Sequence, residues 1–356
     1  MVSGPAASGP AASGPVVRVA GDRISVRVLP RSAVVCVLLL AAAVVVGVFA
    51  LTTGDYPISV YDVVRTLLGR GSEANEFIVT ELRLPRAIAA LGVGAALGMA
   101  GAVFQSISRN PLGSPDIVGL TVGSATGALL QIIVLGGGPV AVAVGSVVGG
   151  ILTAVAVYLL AFRTGALGYR LVLVGIGVGA VLESVNSYLL VRSSLTEATA
   201  AQFWLTGSLN GRGWEDVRPL VGALVALLPV TFALGRDLRM LEMGDDAARA
   251  VGVPVERRRF AALLCGIALT ALATATAGPI AFVALVAPQL VRRLTLVTGP
   301  NLVPSALMGA TLLIVSDFAA QRLLAPTQLP VGVMTAGVGG VYLAWLLTRE
   351  WRSGRA

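Results

Sequence analysis

Lysine and histidine are both missing from the 356 residues, so all 26 basic side chains are arginine. Without lysine there is no P-loop lysine and no Schiff-base amine; without histidine there is no imidazole base and no His-ligated metal. The chain therefore cannot bind ATP through a P-loop of its own. Only two cysteines occur, Cys36 and Cys265, each inside an apolar run, where they read as small packed hydrophobes rather than as a disulfide or a thiolate metal site. Charge is scarce as well, at 12% of residues against roughly 25% in soluble domains.

What is present is apolar, 56% of the chain, with a mean hydropathy of +0.87. One globular core cannot hide that much apolar surface, so the lipid bilayer is the expected solvent. Ten runs approach the span length of about 20 residues: 33–52, 87–108, 117–135, 139–162, 171–191, 217–235, 260–279, 281–297, 302–323 and 331–347. The expected fold is an all-α polytopic membrane protein of ten transmembrane helices. Residues 3–15 read SGPAASGPAASGP, a repeat with no hydrophobic period. The expected organisation is a disordered tail over 1–30, a membrane domain over 31–350 with a cytoplasmic segment at 235–259, and a C-terminal tail over 351–356. The tail is not an evident signal peptide, because the first apolar run is a full bilayer length.

Ten spans place both termini on one side. With that side inside, the inner segments carry 18 arginines and eight acids, net +10, and the rest carries eight arginines and ten acids, net −2. The positive-inside rule then predicts cytoplasmic termini. The net charge of +8 does not argue for nucleic acid, since the arginines are scattered between apolar segments as membrane topology distributes them.

Glycine is abundant, at 43 residues. The spacings Gly94…Gly98, Gly123…Gly127, Gly145…Gly149 and Gly175…Gly179 set small residues four apart on one helix face, where backbones can approach closely. A compact bundle is expected, with packing rather than substrate contact as the first reading of each pair.

Three segments are more polar or irregular than spanning requires. In Glu81-Leu82-Arg83-Leu84-Pro85-Arg86, at the outer end of span two, the arginines either await carboxylate partners or anchor the interface with Arg83 paired to Glu81. The turn Ser108 to Asp116, with two prolines and a glycine, either borders a pathway or is a plain tight loop. Met243 to Pro254 reads as a short helix with acids at its start, Arg249 near its end and Gly252 as C-cap. Its small apolar face, Ala247, Ala250 and Val251, suits either a cytoplasmic partner or a mere link between spans.

Taken together, Arg83-Leu84-Pro85-Arg86, Gly94 to Gly98 with Gly101-Ala102-Val103-Phe104-Gln105, Arg109-Asn110-Pro111-Leu112, Trp204 to Leu209, Gly244 to Gly252, Ala277 to Pro288 and Leu329 to Thr335 resemble the permease subunits of iron-siderophore, haem and cobalamin ABC importers. The likeness runs in order over roughly 33–350. It implies a bundle like the cobalamin-importer permease, with ferric siderophore as the leading cargo. It also implies a dimeric pathway made with an identical or homologous second permease, a cytoplasmic ABC ATPase dimer and an extracytoplasmic substrate-binding protein. This chain would then be a transport subunit of the cell membrane rather than an enzyme, with no cofactor or metal of its own; ATP and Mg would sit on the ATPase. By the same resemblance Gly244, Asp245, Asp246, Ala248, Arg249 and Gly252 couple to the ATPase. Arg83, Arg86 and Arg322 dock glutamates of the binding protein, and Asn110, Pro111 and Leu112 help close the inner gate.

The chain also departs from its relatives. Gln289 stands where relatives often carry histidine, so nothing there titrates near neutral pH. Glu183 lies within span five with Asn186 one turn later; an intramembrane acid marks either the pathway or a pair inside the bundle. Asp317 and Arg322 could pair with each other or with the binding protein. Three rivals are weighed. An ion-driven secondary transporter would normally show more intramembrane carboxylates than Glu183 and Asp317. A membrane-embedded enzyme lacks its side chains, and a receptor without transport would have no need of an ATPase.

Overall fold

The computed structural model describes residues 16–19, 24–27, 29–116, 119–161, 167–325 and 327–352. Most of the expected N-terminal tail, and residues 353–356 of the C-terminal one, lie outside that set. Within the tail, β1 (Val16–Val19) pairs antiparallel with β2 (Ile24–Arg27). Everything else regular among the described residues is helical.

The first helix, α1 (Pro30–Thr52), starts on a proline, whose missing N–H costs nothing in a first turn. Two short helices that hydropathy alone does not reveal follow, α2 (Val60–Leu67) and α3 (Glu73–Glu76), each N-capped by a serine, Ser59 and Ser72. α3 runs through a π-helical turn, Phe77–Arg83, into α4 (Leu84–Ser108). α5 (Leu120–Leu129) ends in a second π-helical turn, Leu130–Val134. Next come α6 (Pro139–Ala161), α7 (Leu167–Arg192) and the short α8 (Leu195–Leu205), whose Ser194 and Glu197 form a capping box. α9 (Trp214–Ala233), α10 (Gly235–Glu242) and α11 (Asp245–Ala250) lead to α12 (Val255–Ala277). The chain finishes with α13 (Val283–Thr295), α14 (Leu302–Arg322) and α15 (Val331–Arg352).

Among the described residues seven helical stretches are long and apolar enough to cross a membrane, and Leu120–Val134 and Val331–Leu346 are shorter apolar helices. Each expected span thus contains a helix, but 281–297 is shorter than anticipated. α13 has 13 residues, about 20 Å at 1.5 Å per residue, too short for a 30 Å core. The missing depth is covered by the non-helical run Gly278 to Phe282, a shape tolerated in a membrane only where protein surrounds it. That condition is met: Ile280 is 2% exposed, a β-carbon on Gly278 would strike the Trp204 carbonyl, and one on Gly207 would strike the Pro279 carbonyl.

α4 is the central post, with 78% of its most apolar window buried, whereas the corresponding window of α7 is 11% buried. Around α4 pack α9, α12, α13 and α14. The glycine pattern explains how. A β-carbon on Gly94 would strike the backbone of Gly309, one on Gly98 the carbonyl of Ser305, and one on Gly101 the carbonyl of Ala284. Gly123 and Gly127 on α5 likewise meet Gly145 and Gly149 on α6. These spacings hold helices at contact distance where hydrophobicity supplies no drive.

Candidate coupling and gating sites

One end of the bundle gathers the arginine-rich connections. α11 begins at Gly244, with φ of 113°, and ends at Gly252, with φ of 83°, both in the region that favours glycine. The Gly252 N–H donates to the Arg249 carbonyl and the Val253 N–H to the Ala248 carbonyl, at 2.9 and 3.0 Å, a Schellman closure. Ala248 is buried against the bundle, while Met243, Ala247, Ala250 and Val251 are exposed on the other side. Asp246 is solvent-facing and pairs with Arg249 at 3.1 Å; Arg249 also approaches Glu256 at 3.7 Å. Asp245 turns inward and takes Arg259 at 2.6 Å and Arg109 on the same Oδ1. Partial burial pushes the Asp245 carboxyl up, but the hydrogen bond and charge of Arg259, helped by Arg109 and Arg249, outweigh it and hold the group below the usual carboxylate value.

Arg109 belongs to the loop after α4, where it sits in the left-handed region with φ of 49°. Asn110 Oδ1 accepts from the Leu112 N–H at 2.9 Å, an Asx turn that sets the bend. Gln289 of α13 donates to the Pro111 carbonyl, so the loop is pinned by a side chain with no proton to gain near neutral pH. Leu112 is exposed. Two links were not evident in the sequence. Ser106 of α4 donates to Glu242 of α10 at 2.6 Å, with Arg292 of α13 at 3.7 Å from the same oxygen, and Arg258 of α12 meets Asp237 at 3.3 Å. The signal was available only as acids at 237, 242 and 245 facing arginines elsewhere, which linear spacing does not pair.

The opposite end carries Arg83, Arg86 and Arg322. Arg83 donates to the carbonyls of Leu51 and Tyr56 at 2.7 and 2.6 Å, and Arg322 to Thr53 at 2.9 Å. Both arginines therefore satisfy orphan carbonyls at the C-terminus of α1 and oppose its dipole. Of the two alternatives for Arg83, the pair with Glu81 is not made among the described residues. Nor is the Asp317–Arg322 pair: Asp317, 3% exposed, is held by Arg86 through two bonds of 2.9 Å and by Gln321 at 2.8 Å. Burial also removes Asp317 from the reach of another protein, and it commits most of the Arg86 fork inward.

In α7, Glu183 is exposed, and no hydrogen bond or ion pair holds it among the described residues. Asn186 does not share its surroundings. It is 2% exposed, and its Oδ1 lacks a hydrogen-bond partner among the described residues. Near that helix's end, Leu190, Ala198, Thr199, Gln202, Phe203, Thr206 and Pro330 line an open, mainly apolar hollow of about 440 Å³.

This architecture has known counterparts. The FecCD transport family matches residues 38–349. The chain belongs to the FecCD transport family. Among FecCD-like relatives, the ferric enterobactin transport system permease protein FepG of Escherichia coli K12 is 45% identical over 90% of this chain and 98% of its own length. The Fe(3+) dicitrate transport system permease protein FecD of the same organism is 38% identical over 77% of this chain and 86% of its own. A solved structure described as an inward-facing conformation of a metal-chelate type ABC transporter superposes with a TM-score of 0.80 at 27% identity, covering 89% of this chain and 99% of that one. The FecCD fold is thus a helical ABC-importer permease, a transport subunit rather than an enzyme.

Proposed function

We infer that this chain is the membrane-spanning permease of an ATP-driven importer for ferric siderophores. The observation that carries the reading is the 45% identity to a ferric enterobactin permease along 98% of that relative's length. The chain lies in the cell membrane with its arginine-rich end and both termini in the cytoplasm, as the arginine bias supports. A second permease, identical or homologous, completes the pathway; a cytoplasmic ATPase pair carries ATP and Mg, and an extracytoplasmic binding protein delivers the cargo.

Gly244, Asp245, Asp246, Ala248, Arg249 and Gly252 form the coupling helix, whose exposed Met243, Ala247, Ala250 and Val251 meet the ATPase. In support, this small apolar face is left uncovered by the other described residues. Asn110, Pro111 and Leu112 form the cytoplasmic gate. Arg83 and Arg322 present their remaining guanidinium donors to acids of the binding protein, and Arg86, held by Asp317, shapes that platform from below. Glu183 and Asn186 belong to the pathway, which opens outward beside the hollow under α8. Transport is alternating access: nucleotide binding draws the ATPases together, and the packed helices exchange an outward cavity for an inward one.

The test is reconstitution of permease, ATPase and binding protein in liposomes with labelled ferric enterobactin. ATP-dependent accumulation with no requirement for an ion gradient is expected. Accumulation that needs a gradient and ignores ATP would overturn the reading.

A further inference from the structure

The contacts of Asp245 separate it from the residues beside it. Asp246 and Arg249 pair with each other on the solvent side of α11, whereas the Asp245 carboxylate points into the bundle and receives two guanidiniums on one oxygen. One comes from Arg259, whose side chain is 6% exposed and is fixed further by Glu256 at 3.5 Å. The other comes from Arg109, 42% exposed, in the loop that continues into Asn110, Pro111 and Leu112. We propose that Asp245 is a clasp: through Arg109 and Arg259 it joins the short helix Asp245–Ala250 to the loop 109–112 and the foot of α12, so that displacement of that helix moves the gate.

This rests on the assignment of α11 to ATPase coupling and of the loop to the gate. The geometry separates fastening from transmission. α10 is strapped to the bundle without Asp245, by Asp237 to Arg258 and by Glu242 to Ser106 and Arg292. Exposed ion pairs contribute little to stability, so the Arg109 contact is a poor candidate for holding the fold together. It is the direct side-chain link between α11 and the loop, and it leaves from a residue adjoining the gate. The far side of the loop is held by Gln289 at the Pro111 carbonyl, which makes α13 the fixed point against which the loop turns. Asp245 and Arg109 are positioning residues; neither needs to touch cargo or nucleotide.

The experiment uses the complete complex in liposomes, with ferric enterobactin as probe, and reads cargo imported per ATP hydrolysed. Arg109→Gln should leave assembly with the ATPase and basal hydrolysis unchanged and lower import per ATP about tenfold, within the range typical of a coupling between sites. Arg109→Lys, which keeps the charge, should recover at least half of the loss. Asp245→Asn should lower import per ATP to a similar extent, and the double variant should be no worse than the single ones. The clasp is overturned if Arg109→Gln imports normally, if Arg109→Lys is as poor as Arg109→Gln, or if the two losses multiply. If the unaltered complex shows no ATP-driven import, the functional reading fails instead and takes the clasp with it.

Discussion

The Arg86–Asp317 pair allows a sharp test, because its two partners lie on helices far apart in sequence and the site is nearly closed to solvent. Asp317→Ala removes the acceptor of both 2.9 Å bonds. Arg86, with its side chain 16% exposed, would keep a single long contact, to Gln328 Oε1 at 3.4 Å. Breaking one member of a buried pair costs about 3–5 kcal/mol, since a charge is stranded away from water. The residual exposure of Arg86 and its one remaining partner place the expected loss at the lower end, about 3 kcal/mol, or roughly a hundredfold in the folded-to-unfolded ratio. The converse change, Arg86→Leu, strands a carboxylate that retains Gln321 as donor and should cost a comparable amount. Replacing both with leucine removes the stranded charge and should return most of the loss, because a hydrophobic pair of similar volume is often no worse than a buried ion pair. Equilibrium unfolding in mixed micelles titrated with sodium dodecyl sulfate measures all three. Single variants that each cost less than about 0.5 kcal/mol, with additive effects, would refute the argument.

Gly101→Val should destabilise by at least about 1–3 kcal/mol in the same assay, because the obstacle is the Ala284 backbone; Gly222→Ala, at an open site on α9, should be neutral or stabilising. Arg83→Glu with Arg322→Glu should weaken binding-protein affinity about tenfold or more in a salt-dependent way while the ATPase still co-purifies; unchanged affinity by surface plasmon resonance would remove the docking role. Because the folded-state Asp245 carboxyl lies below its ordinary value of 3.8, its pairing contributes stability that is fully present above that value and is lost only as pH falls through the lower, folded one. Import per ATP by the unaltered complex should therefore show no inflection from Asp245 between about pH 5 and 8, and the profile of Asp245→Asn should run parallel to it.

How much of this was readable in the linear chain depends on the range of the interaction. Apolar runs and small-residue spacings are local, so α1, α4, α6, α12 and α14, and the glycine spacings on α5 and α6, could be placed in advance, though not which helix each glycine face meets. The short helix at Asp245–Ala250 was equally readable, since Gly244, the paired aspartates and Gly252 are all start and stop signals. Short amphipathic helices such as α2 escaped because a hydropathy window averages over them. The shortening of α13 escaped because Gly278 to Phe282 is as apolar as a helix, and what sets its shape is tertiary: the backbone of Trp204 and Gly207 packs directly against Gly278 and Pro279. Partnership was the least legible. Arg83 and Asp317 each had a nearby opposite charge in sequence, Glu81 and Arg322, and the fold uses neither. Backbone carbonyls of α1 and a guanidinium 231 residues away won, because burial and a bidentate fork outweigh proximity along the chain.

The arrangement of tethers also bears on where this subunit is incomplete. At the arginine-rich end every acid from 237 to 256 is linked to an arginine or a serine, and at the opposite end arginines close off α1 and bind α4 to α14. Among the described residues α7 has no comparable fastening, and its exposed side carries Glu183, Ser184 and Ser187. Exposed valines on the same helix could face lipid at no cost, but an unpaired carboxylate within a span is several kcal/mol too expensive for hydrocarbon, even on the lower insertion scales of about 2.5–3.5 kcal/mol. Ser184 can turn back to the Ala180 carbonyl, at 2.9 Å, whereas Glu183 has no such partner among the described residues. That stripe therefore demands water or another protein. In the proposed dimeric pathway the polar side of α7 borders the hydrated space shared with the second permease, and Glu183→Gln should leave the helix folded.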